Sequence, residues 1–293
     1  MDQRTKSVFK YLVKIGLSVL AIYLVSRKID FTEVWELLRV SNPLYLVLAL
    51  VLFNMSKILS AFRLNRIFKC IQIDLTEVYN LRLYYVGMFY NLFLPGGVGG
   101  DGYKVIHLKR KSSQGSKKII AAVLLDRVGG AAILLFLALV LAMFIPETYE
   151  TGFYLDYLSI LAAALALPAI FFVIKLFFPS FKAAFRPIVG WSLGVQLAQL
   201  ASAICILFAL GTHSGILIYL VLFLLSSIAA MLPISFGGFG LRELLFIYAA
   251  DIFPISETTA VALGLLFFTI TFISSLIGVF LKLPDSGIKS KTD

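Results

Sequence analysis

The chain has 293 residues, 60% of them hydrophobic and 14% charged, with a mean hydropathy of +0.95. Soluble domains run nearer half apolar and a quarter charged, so a water-exposed globular surface is excluded. The net charge of +10 is spread over short segments between apolar ones. That spread excludes a nucleic-acid-binding domain and points to anionic lipid headgroups as the physical use of the charge.

In chain order, the first apolar segment, residues 8–26, follows Arg4, Lys6, Lys10 and Lys14. The basic start resembles a signal peptide, but no small-residue cleavage site follows residues 15–25, so an uncleaved first span is expected. Further full crossings fit at 43–62, 119–145, 154–174, 187–210 and 257–281, each close to the roughly 20 residues a bilayer requires. Lys and Arg cluster at 1–14, 63–69, 104–118, 175–186 and 282–291, and the positive-inside rule places these stretches in the cytoplasm. Residues 146–156 and 251–257 hold acids and no base, so they are placed outside, as is the mixed loop 27–42. The expected protein is one integral domain, 1–293, in the cell (cytoplasmic) membrane, with six crossings, both termini cytoplasmic and a basic tail at 282–293. Lys57 and Arg63 are expected to snorkel from the second span to the cytoplasmic interface.

Two apolar stretches, 78–102 and 215–250, begin and end on the same side under this scheme, so neither is a simple crossing. Each is broken in its middle by similar residues. The first break runs Leu94-Pro95-Gly96-Gly97-Val98-Gly99-Gly100-Asp101-Gly102-Tyr103-Lys104, the second Leu232-Pro233-Ile234-Ser235-Phe236-Gly237-Gly238-Phe239-Gly240-Leu241-Arg242. Aligned without gaps, they share Leu, Pro and three Gly, with Lys104 opposite Arg242 and Pro233 lying 138 residues after Pro95. One break is entered from the inside and the other from the outside. The fold class expected is therefore an all-α polytopic membrane protein in which six full helices accompany two re-entrant or broken-helix hairpins. The hairpins belong to an inverted repeat with halves near 1–145 and 146–293, against the blander reading of Pro-Gly kinks in ordinary helices. Irregular backbone at membrane depth is tolerated only where protein buries it or a wet cavity receives it.

Residues 97–102 also satisfy Gly-x-Gly-x-x-Gly, the dinucleotide fingerprint, but a helical segment precedes it and no strand is expected, so the nucleotide reading is discarded. What survives is the shared physics: glycine backbone N–H groups approach an anion closely, and phosphate is the obvious candidate.

Asp126 and Arg127 fall within the third expected crossing, Arg242 and Glu243 directly after the second break, and Asp101 within the first. Charges at that depth face a bundle interior or cavity, since exposure to lipid costs several kcal/mol. Two readings stand side by side. Asp126 with Arg242, or Asp101 with Arg127, are structural ion pairs; alternatively Arg127 and Arg242 grip a lipid phosphate and the acids orient them. Cys70 and Cys205 read as packing residues, His107 and His213 as loop residues, and no metal or cofactor is expected.

At these residues the chain resembles a family. Asn91 through Pro95-Gly96 to Gly99-Gly100-Asp101 is similar to the first signature of the lysylphosphatidylglycerol synthase transmembrane-region family, which includes the flippase half of the multiple peptide resistance factor. Asp126-Arg127-Val128-Gly129-Gly130 resembles its acid-Arg-x-x-Gly motif, with Asp where Glu is commoner. Pro233 through Gly237-Gly238-Phe239-Gly240 to Arg242-Glu243 resembles its closing motif. The full-length synthases also carry a soluble aminoacyl transferase domain, which this sequence lacks, so the resemblance implies the membrane half alone. It implies a flippase-like translocase moving an anionic phospholipid or a polyprenyl-phosphate-linked lipid between leaflets, without enzymatic activity. Within the three motifs, the expected substrate-binding set is Asn91, Pro95, Gly96, Gly99, Gly100, Asp101, Asp126, Arg127, Pro233, Gly237, Gly238, Gly240, Arg242 and Glu243. Partners expected are anionic membrane lipids, a second copy of the chain, or a lipid-synthesis enzyme. The alternatives are an intramembrane enzyme using Asp101 or Glu243 as general base, and a non-transporting scaffold subunit of an envelope pathway.

Overall fold

The computed structural model describes residues 31–93, 98–145, 154–231 and 241–284. Among the described residues there are ten α-helices and no strand. They are α1 (Phe31–Arg39), α2 (Pro43–Lys69), α3 (Glu77–Phe93), α4 (Gly99–Lys111), α5 (Ser116–Ala142), α6 (Tyr154–Phe177), α7 (Phe185–Ala209), α8 (Ile216–Met231), α9 (Leu241–Ala250) and α10 (Glu257–Phe280). A 3-10 turn, Pro179–Ala184, leads into α7. The expected crossing at 8–26 lies outside the described residues. The other five correspond to the helices that are long and apolar enough to span a bilayer.

Local chemistry sets the helix starts. The Asn42 side chain accepts the Leu44 backbone N–H at 3.0 Å and Pro43 occupies the first helical position, so α2 begins where an unpaired donor is satisfied and a missing one costs nothing. Ser256 caps α10 in the same way through the Thr259 N–H at 3.2 Å. Inside the bundle, small and hydroxyl-bearing residues let helices approach closely. Against α7, the most extensive partner of α2, Ser202 donates across to the Ala49 carbonyl at 2.9 Å.

The two broken stretches are helical hairpins. α3 and α4 run antiparallel, with Tyr90 stacked on Tyr103 at 4.7 Å and the Tyr79 hydroxyl 2.5 Å from His107 Nε2. Gly87 and Gly100 bring the two backbones into contact: a Cβ added at Gly100 would lie 1.8 Å from the Gly87 carbonyl oxygen. α8 and α9 pack on each other, and Arg242 at the start of α9 reaches back to Ser227 near the end of α8. The described arms, with 17 and 13 residues in one hairpin and 16 and 10 in the other, are each shorter than a hydrocarbon core of roughly 30 Å requires at about 1.5 Å per residue.

The order span, hairpin, span occurs twice. α2, α3, α4 and α5 begin at Pro43, Glu77, Gly99 and Ser116, and α7, α8, α9 and α10 at Phe185, Ile216, Leu241 and Glu257. The packing follows the same rule: α2 lies on α7, α3 on α10, and α8 on α5. Each hairpin thus rests on the closing span of the other set.

The described loops sort by charge. At one end, Lys69 pairs with Asp74 at 3.4 Å, Lys111 Nζ donates to the Pro284 carbonyl, and Phe181 and Ala184 share a core with Ile67, Phe68 and Leu108. At the other end the Asn42 N–H meets the Ala209 carbonyl at 2.9 Å and Thr258 meets Glu33 at 3.2 Å. The mixed segment 31–42 therefore lies beside the base-free segment around 251–258.

Candidate functional site

Where the hairpins meet the spans, a polar cavity of about 280 Å³ opens inside an otherwise apolar bundle. Five cationic side chains line it, Lys57, Arg63, Lys104, Arg127 and Arg242, together with the carboxylates Asp101 and Asp126. Ionised groups taken out of water cost several kcal/mol each unless paired and hydrogen-bonded, so the way each one is held is informative.

On one wall, carboxylates hold the cations. Arg63 is buried and donates through Nε to Asp126 Oδ1 at 2.7 Å and through Nη1 to Ser192 at 2.8 Å. Gly130 leaves the space that its guanidinium occupies, since a Cβ there would lie 3.0 Å from Nη1. Lys104, buried, donates to Asp101 Oδ1 at 3.2 Å and lies over the Tyr84 ring. Arg127 Nε contacts the other oxygen of the same carboxylate. One Asp101 side chain thus ties α4 to α5 and orients two cations.

On the opposite wall, aromatic rings do the holding. The Arg242 guanidinium lies 4.9 Å from the centroid of Phe267 and 5.4 Å from that of Phe223, and donates to Ser227 at 3.3 Å. Lys57 Nζ sits 4.3 Å from the Phe53 centroid. Ring faces attract cations without neutralising them. Glu243, buried, follows Arg242 and directs Oε1 toward Gly264 of α10.

Several expectations need correction. Lys57 and Arg63 do not snorkel: both line the cavity, and Arg63 is one of the most enclosed charges among the described residues. Depth along a helix is readable from sequence, but the direction a side chain faces depends on neighbours that sequence does not place. Lys104 belongs to no loop, because α4 runs on to Lys111 and carries it into the cavity wall. His107 likewise sits within α4. Asp126 pairs with Arg63 and not with Arg242, whereas the Asp101–Arg127 pair forms as the structural reading had it.

Of the expected binding set, Asn91, Asp101, Asp126, Arg127 and Arg242 line the cavity. Asn91 Oδ1 also accepts the Gly100 N–H at 2.8 Å, which fixes the entry to α4. Gly100 is taken up by the contact with Gly87, Gly99 opens α4 beside it, and Glu243 stands behind the cavity. Pro95, Gly96, Pro233, Gly237, Gly238 and Gly240 lie outside the described residues. A second cavity, about 240 Å³, shares Lys57, Tyr84, Asn91 and Arg127 with the first and extends past Leu92 and Met231 to Thr271 and Ser275 of α10. The polar chamber therefore continues toward the flank of the bundle between α3, α8 and α10.

Comparison with known proteins agrees with the motifs. The family model described as the lysylphosphatidylglycerol synthase TM region matches residues 11–278. A UPF0104 membrane protein of Pyrococcus horikoshii is 32% identical over 122 residues, a stretch that covers 41% of this chain and 36% of the relative. The alignment thus spans about a third of that protein's length.

Proposed function

We propose, from the premise that this chain belongs to the lysylphosphatidylglycerol synthase TM-region family, that its central cavity holds the anionic headgroup of a membrane lipid during passage between leaflets. The observation that carries the reading is the composition of the cavity wall: five cations against two carboxylates, enclosed by apolar spans. A surplus of positive charge in a low-dielectric interior is costly unless an anion completes it. The side extension past Leu92, Met231 and Ser275 suits acyl chains that stay in lipid while the headgroup enters. The repeated order of span, hairpin and span, and the crossed packing of the hairpins, support an inverted repeat built around the site, as in transporters that bind near the midplane.

The end bearing the basic loops faces the cytoplasm in this proposal; reaction of Ser112→Cys with a reagent confined to the outside of intact cells would contradict that. Function is tested by leaflet exchange in liposomes with purified protein and labelled lipids of several headgroups. Anionic lipids should exchange faster than in protein-free liposomes and faster than zwitterionic ones. Equal exchange of zwitterionic lipid, or none above the protein-free rate, would overturn the reading.

A further inference from the structure

We propose that the headgroup this cavity accepts is a lipid phosphate monoester, with two negative charges on one phosphorus, in preference to the singly charged phosphodiester of common phospholipids. The inference rests on the headgroup-binding reading above and sharpens it. Five cations line the cavity; Asp101 and Asp126 offset two of them, and buried Glu243, next to Arg242, offsets a third. With all five protonated, two positive charges remain. A phosphodiester carries one charge and leaves one cation uncompensated, whereas a monoester near neutral pH carries close to two.

Which cations keep donors for a ligand is a separate matter from that net charge. Arg63, Lys104 and Arg127 each spend donors on Asp126 or Asp101. Among the described residues, Lys57 and Arg242 are seated on ring faces and Arg242 gives one N–H to Ser227, which leaves ammonium and guanidinium N–H groups for another acceptor. An ammonium has three donors and a guanidinium five, so together they reach the three terminal oxygens of a monoester more fully than the two of a diester.

The test compares phosphatidic acid with phosphatidylmethanol, both labelled on an acyl chain, in leaflet exchange by the full chain in liposomes. The two differ by one methyl ester and one charge. Phosphatidic acid should exchange at least about tenfold faster, because one added charge-assisted hydrogen bond corresponds to a factor of that order. Lys57→Gln should bring the ratio to about two or below, and Lys57→Arg should keep most of it, with melting temperature measured on each variant to confirm folding. Millimolar inorganic phosphate should slow phosphatidic acid exchange. If phosphatidylmethanol moves as fast as phosphatidic acid, the two-charge inference falls and the headgroup site stands. If neither lipid binds or moves, both fall. If inorganic phosphate raises the melting temperature while phosphatidic acid neither binds nor moves, the site serves free phosphate and the lipid assignment is overturned. An unchanged lipid ratio in folded Lys57→Gln also overturns the inference.

Discussion

Two walls of one cavity hold their cations by different means. On the wall formed by α2, α4 and α5, Arg63 is locked to Asp126, and Lys104 and Arg127 share Asp101. On the wall formed by α2, α8, α9 and α10, Lys57 and Arg242 rest on Phe53, Phe223 and Phe267. A carboxylate neutralises a cation and fixes it as scaffold; a ring face steadies a cation and leaves its charge in force. The first wall is thus built to hold the helices together, and the second to meet an anion. Mutations should then damage stability most on the first wall and least on the second.

The largest loss of stability is expected from Arg63→Met. Asp126 would remain buried without its partner, and breaking a buried pair on one side costs about 3–5 kcal/mol. Arg63→Met with Asp126→Leu should recover most of the loss, since an apolar pair of similar volume needs no counter-charge. Thermal unfolding in detergent measures both. A small loss in the single variant, or no recovery in the double, would mean the pair is not what fixes α2 to α5.

A smaller effect is expected at the hairpin that carries Asp101. Gly100→Ala forces a Cβ against the Gly87 carbonyl, and overpacking of this kind costs about 1–3 kcal/mol. Gly102, two residues on, has nothing within 4 Å of a built Cβ. Gly102→Ala should be neutral or stabilising by up to about 1 kcal/mol, as expected for helix propensity alone. Similar losses at both positions would show that the contact between α3 and α4 is not tight.

The contrast between the walls also explains what the sequence disclosed. Apolar length was enough to place five spans, because the bilayer imposes it. Proline and glycine runs marked both hairpins, because irregular backbone at that depth is rare. Asp101 with Arg127 was legible as a pair because few charges compete within the spans. Arg63 was not, because its partner lies 63 residues away and the meeting of α2 with α5 is a tertiary fact. Lys104 was hidden inside a run of basic residues that includes solvent-facing Lys109 and Arg110. Phe223 and Phe267, which seat Arg242, could not be singled out among 26 phenylalanines.

The smallest loss of stability, and the sharpest test of the division between the walls, is expected from Arg242→Gln. Its rings and Ser227 supply roughly 0.5–2 kcal/mol of attraction, and removing the charge relieves a desolvation cost that acts against it. The net change in stability should stay within about 1 kcal/mol while exchange of anionic lipid falls at least about tenfold, as one lost charge-assisted contact implies. Arg242→Lys should recover only part of that rate, since a point charge replaces a planar two-pronged donor and cannot stack on Phe267 in the same way. The adjacent acid supplies the control. If Arg242 served only to neutralise Glu243, removing both charges in Arg242→Gln with Glu243→Gln would restore exchange. If Arg242 grips the headgroup, the double variant remains folded and stays slow. Melting temperature and exchange rate measured on the same three variants separate these cases: normal exchange by Arg242→Gln, or recovery in the double variant, would place Arg242 with the scaffold and erase the difference between the walls.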